Sequence, residues 1–108
     1  MALPARGYTY VPVAQGAAGT TELAAAVEGK YHKVMAAILS IDATGTLKFV
    51  DDAGDLTGAM PVSTTGGFVA PSAGHPYTRT TTTNSSLSLT SVTGKVFGVV
   101  AILTSSQP

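Results

Sequence analysis

Along much of the chain, apolar and polar residues alternate with a period of two. "TLKFV" (46–50) sets Leu47 and Phe49 on one side and Thr46, Lys48 and Val50 on the other. "SLSLTSV" (86–92) repeats this, with Leu87 and Leu89 opposite Ser86, Ser88 and Thr90. Side chains of an extended chain point alternately to its two faces, so the pattern predicts strands with one buried side. "KVFGVVAIL" (95–103) differs: Phe97, Val99 and Ala101 make one side apolar, and Val96, Val100 and Ile102 the other. A strand like that is covered twice, by its own core and by something else. Turn signals at "DATGT", "DDAGD", "TTGG" and Thr93-Gly94 punctuate these runs with glycines able to take a positive φ. The spacing predicts about six to nine short strands in a β-sandwich or barrel.

"TTELAAAVEGKYHKVMAAILSI" (20–41) resists this reading. Leu23, Val27, Tyr31, Val34, Met35, Ile38 and Leu39 recur at helical spacing, and alanine is the best helix former. Gly29 opposes a continuous helix, at about 1 kcal/mol in a helix interior. Read as strands, the segment becomes 20–28, a turn at Gly29, and 30–41 with apolar residues on both faces. Periodicity alone leans helical.

Residues 1–19 have a different character. Pro4, Gly7, Pro12, Gly16 and Gly19 interrupt regular elements, and "YTYVPV" suits an extended arm or an edge strand, since proline cannot donate to a central ladder. This gives two regions: an extended N-terminal arm (1–19) and a folded domain (20–108).

The 108 residues leave room for one domain, and area scaling gives roughly 65% of the unfolded chain's surface buried on folding. Charged residues make up only 11%, against about 25% in an ordinary soluble domain, and the formal net charge is zero. A surface so poor in charge fits self-association or docking on a larger assembly. The six basic residues are scattered singly, which gives a phosphate backbone little to grip, so no nucleic-acid partner is expected. The lack of cysteine fits a chain made in a reducing cytosol and removes thiolate catalysis and disulfides. "MALPARGYTY" carries no apolar signal region, and no run reaches the ~20 residues of a membrane span, so no membrane partner is expected.

Catalytic chemistry finds no foothold. His32 and His75 are the only histidines; His32 sits among apolar residues and His75 in a proline-flanked loop, without zinc-ligand spacing. There is no G-x-S-x-G turn and no phosphate-binding glycine loop. Asp51, Asp52 and Asp55 in "VDDAGDL" could in principle hold calcium, but an Asp-Gly hairpin turn is the plainer reading. We therefore expect no enzyme activity, no cofactor and no metal.

The ordered series from Gly29 onward resembles a known family. It runs Gly29-Lys30 into a long apolar strand, then a strand with Phe49, "DLTG" (Asp55–Gly58) leading to Met60-Pro61, "GGF" (Gly66–Phe68), a proline-rich loop, a threonine strand, "LSL" (Leu87–Leu89) and a closing strand that starts at a glycine. Over residues 20–104 this is similar to the capsid decoration, or cement, proteins of tailed bacteriophages. Two departures stand out: the segment up to Gly19 lies outside the match, and the loop around His75 lacks the expected aromatic unless Tyr77 serves. The resemblance implies an all-β, jelly-roll-type β-sandwich with an extended N-terminal arm. It implies a structural virion protein made in the host bacterial cytoplasm and placed on the outer capsid surface. Its partners would be the major capsid protein of the head and other copies of itself, as a homodimer or homotrimer. Tyr8, Tyr10 and Val11 of the arm, with Phe97 and Val99 of the closing strand, are the expected contact residues. A receptor- or glycan-binding module of a head or tail fibre is the second reading, carried by His75 and Tyr77.

Overall fold

The structure, a computed structural model, describes residues 8–72, 74–92 and 94–108. It is all-β, with two antiparallel sheets packed face to face. Ten strands lie among the described residues: β1 (Thr9–Gln15), β2 (Gly19–Ala24), β3 (Tyr31–Ile41), β4 (Gly45–Asp51), β5 (Gly54–Asp55), β6 (Met60–Val62), β7 (Phe68–Ala70), β8 (Thr78–Arg79), β9 (Leu87–Ser91) and β10 (Val96–Ser105). The first sheet has the order β1-β10-β3-β7, with β8 also on β3; the second has β2-β9-β4-β5, with β6 also on β4.

The alternating segments form strands as their pattern predicts. Leu47 and Phe49 on β4 and Leu87 and Leu89 on β9 point inward and are buried, against Val34, Leu39, Val100 and Ile102 of the first sheet. Each buried leucine, isoleucine or valine contributes roughly 1.5–3 kcal/mol relative to exposure.

The helical spacing over 20–41 is not realised. Glu28-Gly29 forms a turn and the rest becomes β2 and β3. β3 lies between β10 on one side and β7 and β8 on the other, so its backbone groups are satisfied by neighbours, which outweighs alanine's helix propensity. The register explains the misleading spacing. Ala101 pairs with Ala36 but Ile102 with Val34, leaving Met35 as a bulge. The inward residues of β3 are then Val34, Ala37, Leu39 and Ile41, whose first step of three is helix-like.

The segment expected as an arm is, over Thr9–Gln15, an edge strand paired with β10 along its whole length; residues 1–7 lie outside the described residues. Gln15 ties this edge to the other sheet, its Nε2 donating to Ser91 Oγ (2.6 Å) and to the Ala17 carbonyl (2.8 Å). "DLTGAMPVSTTGGFVAP" carries the chain between sheets: β6 lies on β4, and β7 on β3.

Two glycines permit backbones to meet. Gly98 on β10 has φ 149°, and a methyl group there would fall on the Ile38 carbonyl oxygen of β3. Gly67, at φ 64°, would likewise drive a methyl into the Leu39 carbonyl. No other residue fits either place without moving β3.

Asp51 organises the end of the second sheet. Its Oδ1 accepts the amides of Ala53 (2.9 Å) and Gly54 (3.1 Å), and its Oδ2 accepts the amide and hydroxyl of Thr81, both at 2.8 Å. Asp52 accepts the Ser86 hydroxyl at 2.6 Å, so the threonine-rich loop is sewn to the β4–β5 hairpin. Burial pushes the Asp51 carboxyl up, but hydrogen bonds from Thr81, Ala53 and Gly54 outweigh it and hold the group below its ordinary 3.8.

Two outcomes follow from this geometry. Gly98→Ala should destabilise the fold by about 3 kcal/mol or more, since the clash is with backbone on the central pair; a denaturant midpoint close to wild type would contradict it. For Asp51, a folded-state value below the unfolded one means a contribution fully present above about pH 4 and lost as pH falls through the folded value. Asp51→Asn, which turns an amide donor toward donors, should cost about 2–4 kcal/mol at pH 7. Its melting temperature should also vary less than that of wild type between pH 4.5 and 2.5, as read by circular dichroism.

Candidate docking face

The sandwich has two broad outer faces, and they differ in chemistry. On the second sheet, the outward residues of β2, β9 and β4 are Thr20, Glu22, Ser88, Thr90, Thr46, Lys48 and Val50. Thr20 and Thr90 share a hydroxyl hydrogen bond of 2.8 Å, and Lys48 pairs with Asp55 at 3.1 Å. Apart from Val50 this is a polar, water-compatible surface, as expected of an antiparallel sheet with one wet side.

The first sheet lacks such a wet side. Register sets its outward residues in rows across the strands. One row is Pro12 (β1), Val99 (β10), Ile38 (β3) and Val69 (β7), every member apolar. The row on one side is Tyr10, Ala101 and Ala36; the row on the other is Ala14, Phe97 and Ser40. Tyr10, Ile38, Val69 and Phe97 are each between 44% and 61% exposed. Ala101, although outward, is buried. Two shallow hollows flank Ile38. One is walled by Tyr10, Ala36 and Val99, the other by Phe97, Val69 and the Gly66-Gly67 turn.

At about 4.8 Å between strands and 6.8 Å between like-facing residues, these rows span roughly 15 by 14 Å. Single exposed apolar residues are ordinary, whereas a contiguous block on one sheet makes this face the candidate docking surface. The molecule measures 36 × 36 × 20 Å, so its broad face can supply the ~800 Å² per partner of a standard interface, with the apolar rows at its centre.

The expected contact residues divide by strand parity. Tyr10, Phe97 and Val99 come together on this face. Val11 turns inward and packs against the core, paired with Val100. Tyr8 precedes β1 and is half-buried. Ile38 enters the sequence reading only through its helical spacing and the two-sided apolar character of residues 30–41, and Val69 carries no local signal.

The other candidate residues are tied up structurally. His32 is buried, with Nε2 2.7 Å from the Ala25 carbonyl and Nδ1 2.8 Å from the Thr104 hydroxyl. A carbonyl only accepts, so Nε2 donates to Ala25, and Nδ1 shares the second hydrogen bond with the Thr104 hydroxyl. His75 and Tyr77 stand with tilted rings 6.4 Å apart, and the Tyr77 hydroxyl donates to the Pro71 carbonyl. An apolar cleft of about 520 Å³ opens beside them between β6 and β7, walled by Phe49, Met60, Phe68 and Tyr77. Asp51, Asp52 and Asp55 have separate partners, and no group of three metal-ligating side chains forms among the described residues. No described helix is long and apolar enough to cross a membrane.

Because Ile38 and Val69 face outward, replacing them with threonine leaves the core untouched. The double variant Ile38→Thr/Val69→Thr should keep the melting temperature within a few degrees of wild type while lowering binding of an apolar dye such as ANS. A collapse of stability would show that these residues are part of the core. Comparison of the chain with protein-family models, with curated proteins and with solved structures finds no match, so its function is read from its own residues.

Proposed function

We propose that this protein is a non-catalytic structural module of a phage virion: a decoration protein that docks on the outside of the head and stabilises the shell. The observation that carries the reading is the contrast between the faces, one contiguous and apolar, the other polar. Low overall charge and the family resemblance over residues 20–104 support it.

The strand order supports a jelly-roll reading. β1 pairs with β10, β2 with β9, β3 with β7 and β8, and β4 with β5 and β6, so the successive strand pairs of an antiparallel ribbon fall in alternate sheets. The partner is the major capsid protein of the head, and the working form is a homodimer or homotrimer on the outer capsid surface. The mechanism is passive. A module bound across a junction between shell subunits adds buried area only in the assembled, expanded lattice, and binding one state over the other stabilises it by mass action. Only the surplus over association costs appears as affinity, and an oligomer gripping several subunits gains by effective concentration. The chemistry requires no cofactor, metal, nucleic acid or membrane. The glycan-binding reading depends on the His75 loop, where the Tyr77 hydroxyl already serves Pro71.

The test is co-sedimentation with expanded heads that lack this protein, with unexpanded procapsids alongside. Saturable binding to expanded heads alone, with greater resistance of those heads to heat, is the expected result. Ile38→Thr/Val69→Thr should weaken binding about tenfold or more, taking ~1 kcal/mol for each methyl group removed from a buried contact. Absence of wild-type binding to either particle would sink the proposal and direct attention to glycans.

A further inference from the structure

The apolar rows of the first sheet end in a row of another kind. Lys33 on β3 stands between Leu103 of β10 and Arg79 of β8, all facing outward. Two cations directly opposite one another on neighbouring strands repel. Lys33 is also only 8% exposed, so most of its side chain lies against the sheet, and its Nζ is not a buried polar atom without a partner. Arg79 is held in position: its guanidinium lies 4.6 Å from the centroid of the Tyr31 ring, and Nη1 donates to the Thr80 carbonyl at 2.8 Å. Among the described residues no acidic side chain pairs with either of the two charges. Among the described residues the ion pair is Lys48–Asp55, on the other sheet. The outward residues of β1, β10, β3, β7 and β8 include no acid.

Two positioned like charges without a counter-charge form a site that an anion completes. A planar carboxylate can take the remaining guanidinium donors of Arg79 while its second oxygen meets the Lys33 ammonium. Building on the docking reading above, we propose that Lys33 and Arg79 anchor a carboxylate side chain, aspartate or glutamate, on the protein surface that the apolar face covers. A second copy of this chain is the poorer occupant, because its matching face has no acid to offer. A nucleic-acid backbone is poorer still, since two cations beside an apolar block release few counterions. The apolar rows would then supply most of the binding energy and the carboxylate would set orientation, as charge pairs at interfaces do.

The test has two arms. In the first, the wild-type protein is titrated with N-acetylglutamate while the Arg79 Nε–H signal is followed by NMR. A saturable shift, absent in Lys33→Gln, is expected; inorganic phosphate serves as the comparison ligand, and no shift with N-acetylglutamate overturns the site. In the second, Lys33→Gln/Arg79→Gln should bind expanded heads about tenfold or more weakly than wild type at low salt, and its binding should no longer fall as sodium chloride rises. Arg79→Lys, which keeps the charge but not the fork, should fall between. If Ile38→Thr/Val69→Thr loses binding but Lys33→Gln/Arg79→Gln matches wild type at every salt concentration, the docking face stands and the anchor is overturned. If the carboxylate binds Arg79 but wild type ignores heads, the anchor stands and the shell is the wrong partner.

Discussion

The ladder between β3 and β10 is the constraint on which the rest of the structure depends. It runs through ten register pairs at the centre of the first sheet and is drawn tight where Gly98 lets the two backbones approach. Its register decides both faces at once. With Val100 opposite Ala37 and Ile102 opposite Val34, the inward residues meet the leucines of β4 and β9. The same register lines up Val99 with Ile38 on the other side. A slip of one residue would turn Val100 and Ile102 to water and draw Val99 and Ala101 inward. The core and the docking face are therefore two readings of one alignment, and no substitution that shifts the ladder can change only one of them.

Strand parity separates what the sequence reveals from what it hides. Leu47, Phe49, Leu87 and Leu89 are legible because a two-residue period over five or more positions has one physical meaning. β3 is not, because the bulge at Met35 changes the phase in mid-strand and leaves a three-residue step that a helix also produces. The closing strand announces its two apolar sides, which is how Phe97 and Val99 come to mind. Which residues stand beside them is a matter of pairing between distant segments, so Ile38 and Val69 stay hidden until the sheet is assembled. Parity also sorts the N-terminal residues: Tyr10 and Val11 are neighbours in sequence and so point to opposite faces of β1. The aspartates of "VDDAGD" read correctly as a turn. Their bonds to Thr81 and Ser86 join segments about 30 positions apart, which no local pattern encodes.

The apolar character of the first sheet's outer face is bounded. The row beside Ile38 is kept shallow by Ala36 and Ala101, the outermost strand carries Pro12, and one end is capped by Lys33 and Arg79. The opposite sheet compensates with hydroxyls and paired charges, which hydrate well without adding net charge. The low charge content is thus distributed unequally, and that asymmetry makes the two faces chemically distinct.

The edges of the two sheets limit backbone pairing with another chain. An exposed strand edge invites another strand to add to it, and proteins that avoid this blunt their edges. Here β1 contains Pro12, which offers no amide to a ladder, and β2 is interrupted by a bulge between Glu22 and Ala24. The far edges are β5, β6, β7 and β8, two or three residues each, too short to template a partner strand. With every edge blunted and one broad face left apolar, association through side chains on the face is favoured over backbone pairing. A contact of that kind depends on shape and on where the charges fall, not on backbone hydrogen bonds. Such a contact can discriminate between two arrangements of the same subunits, which is what the role proposed above requires.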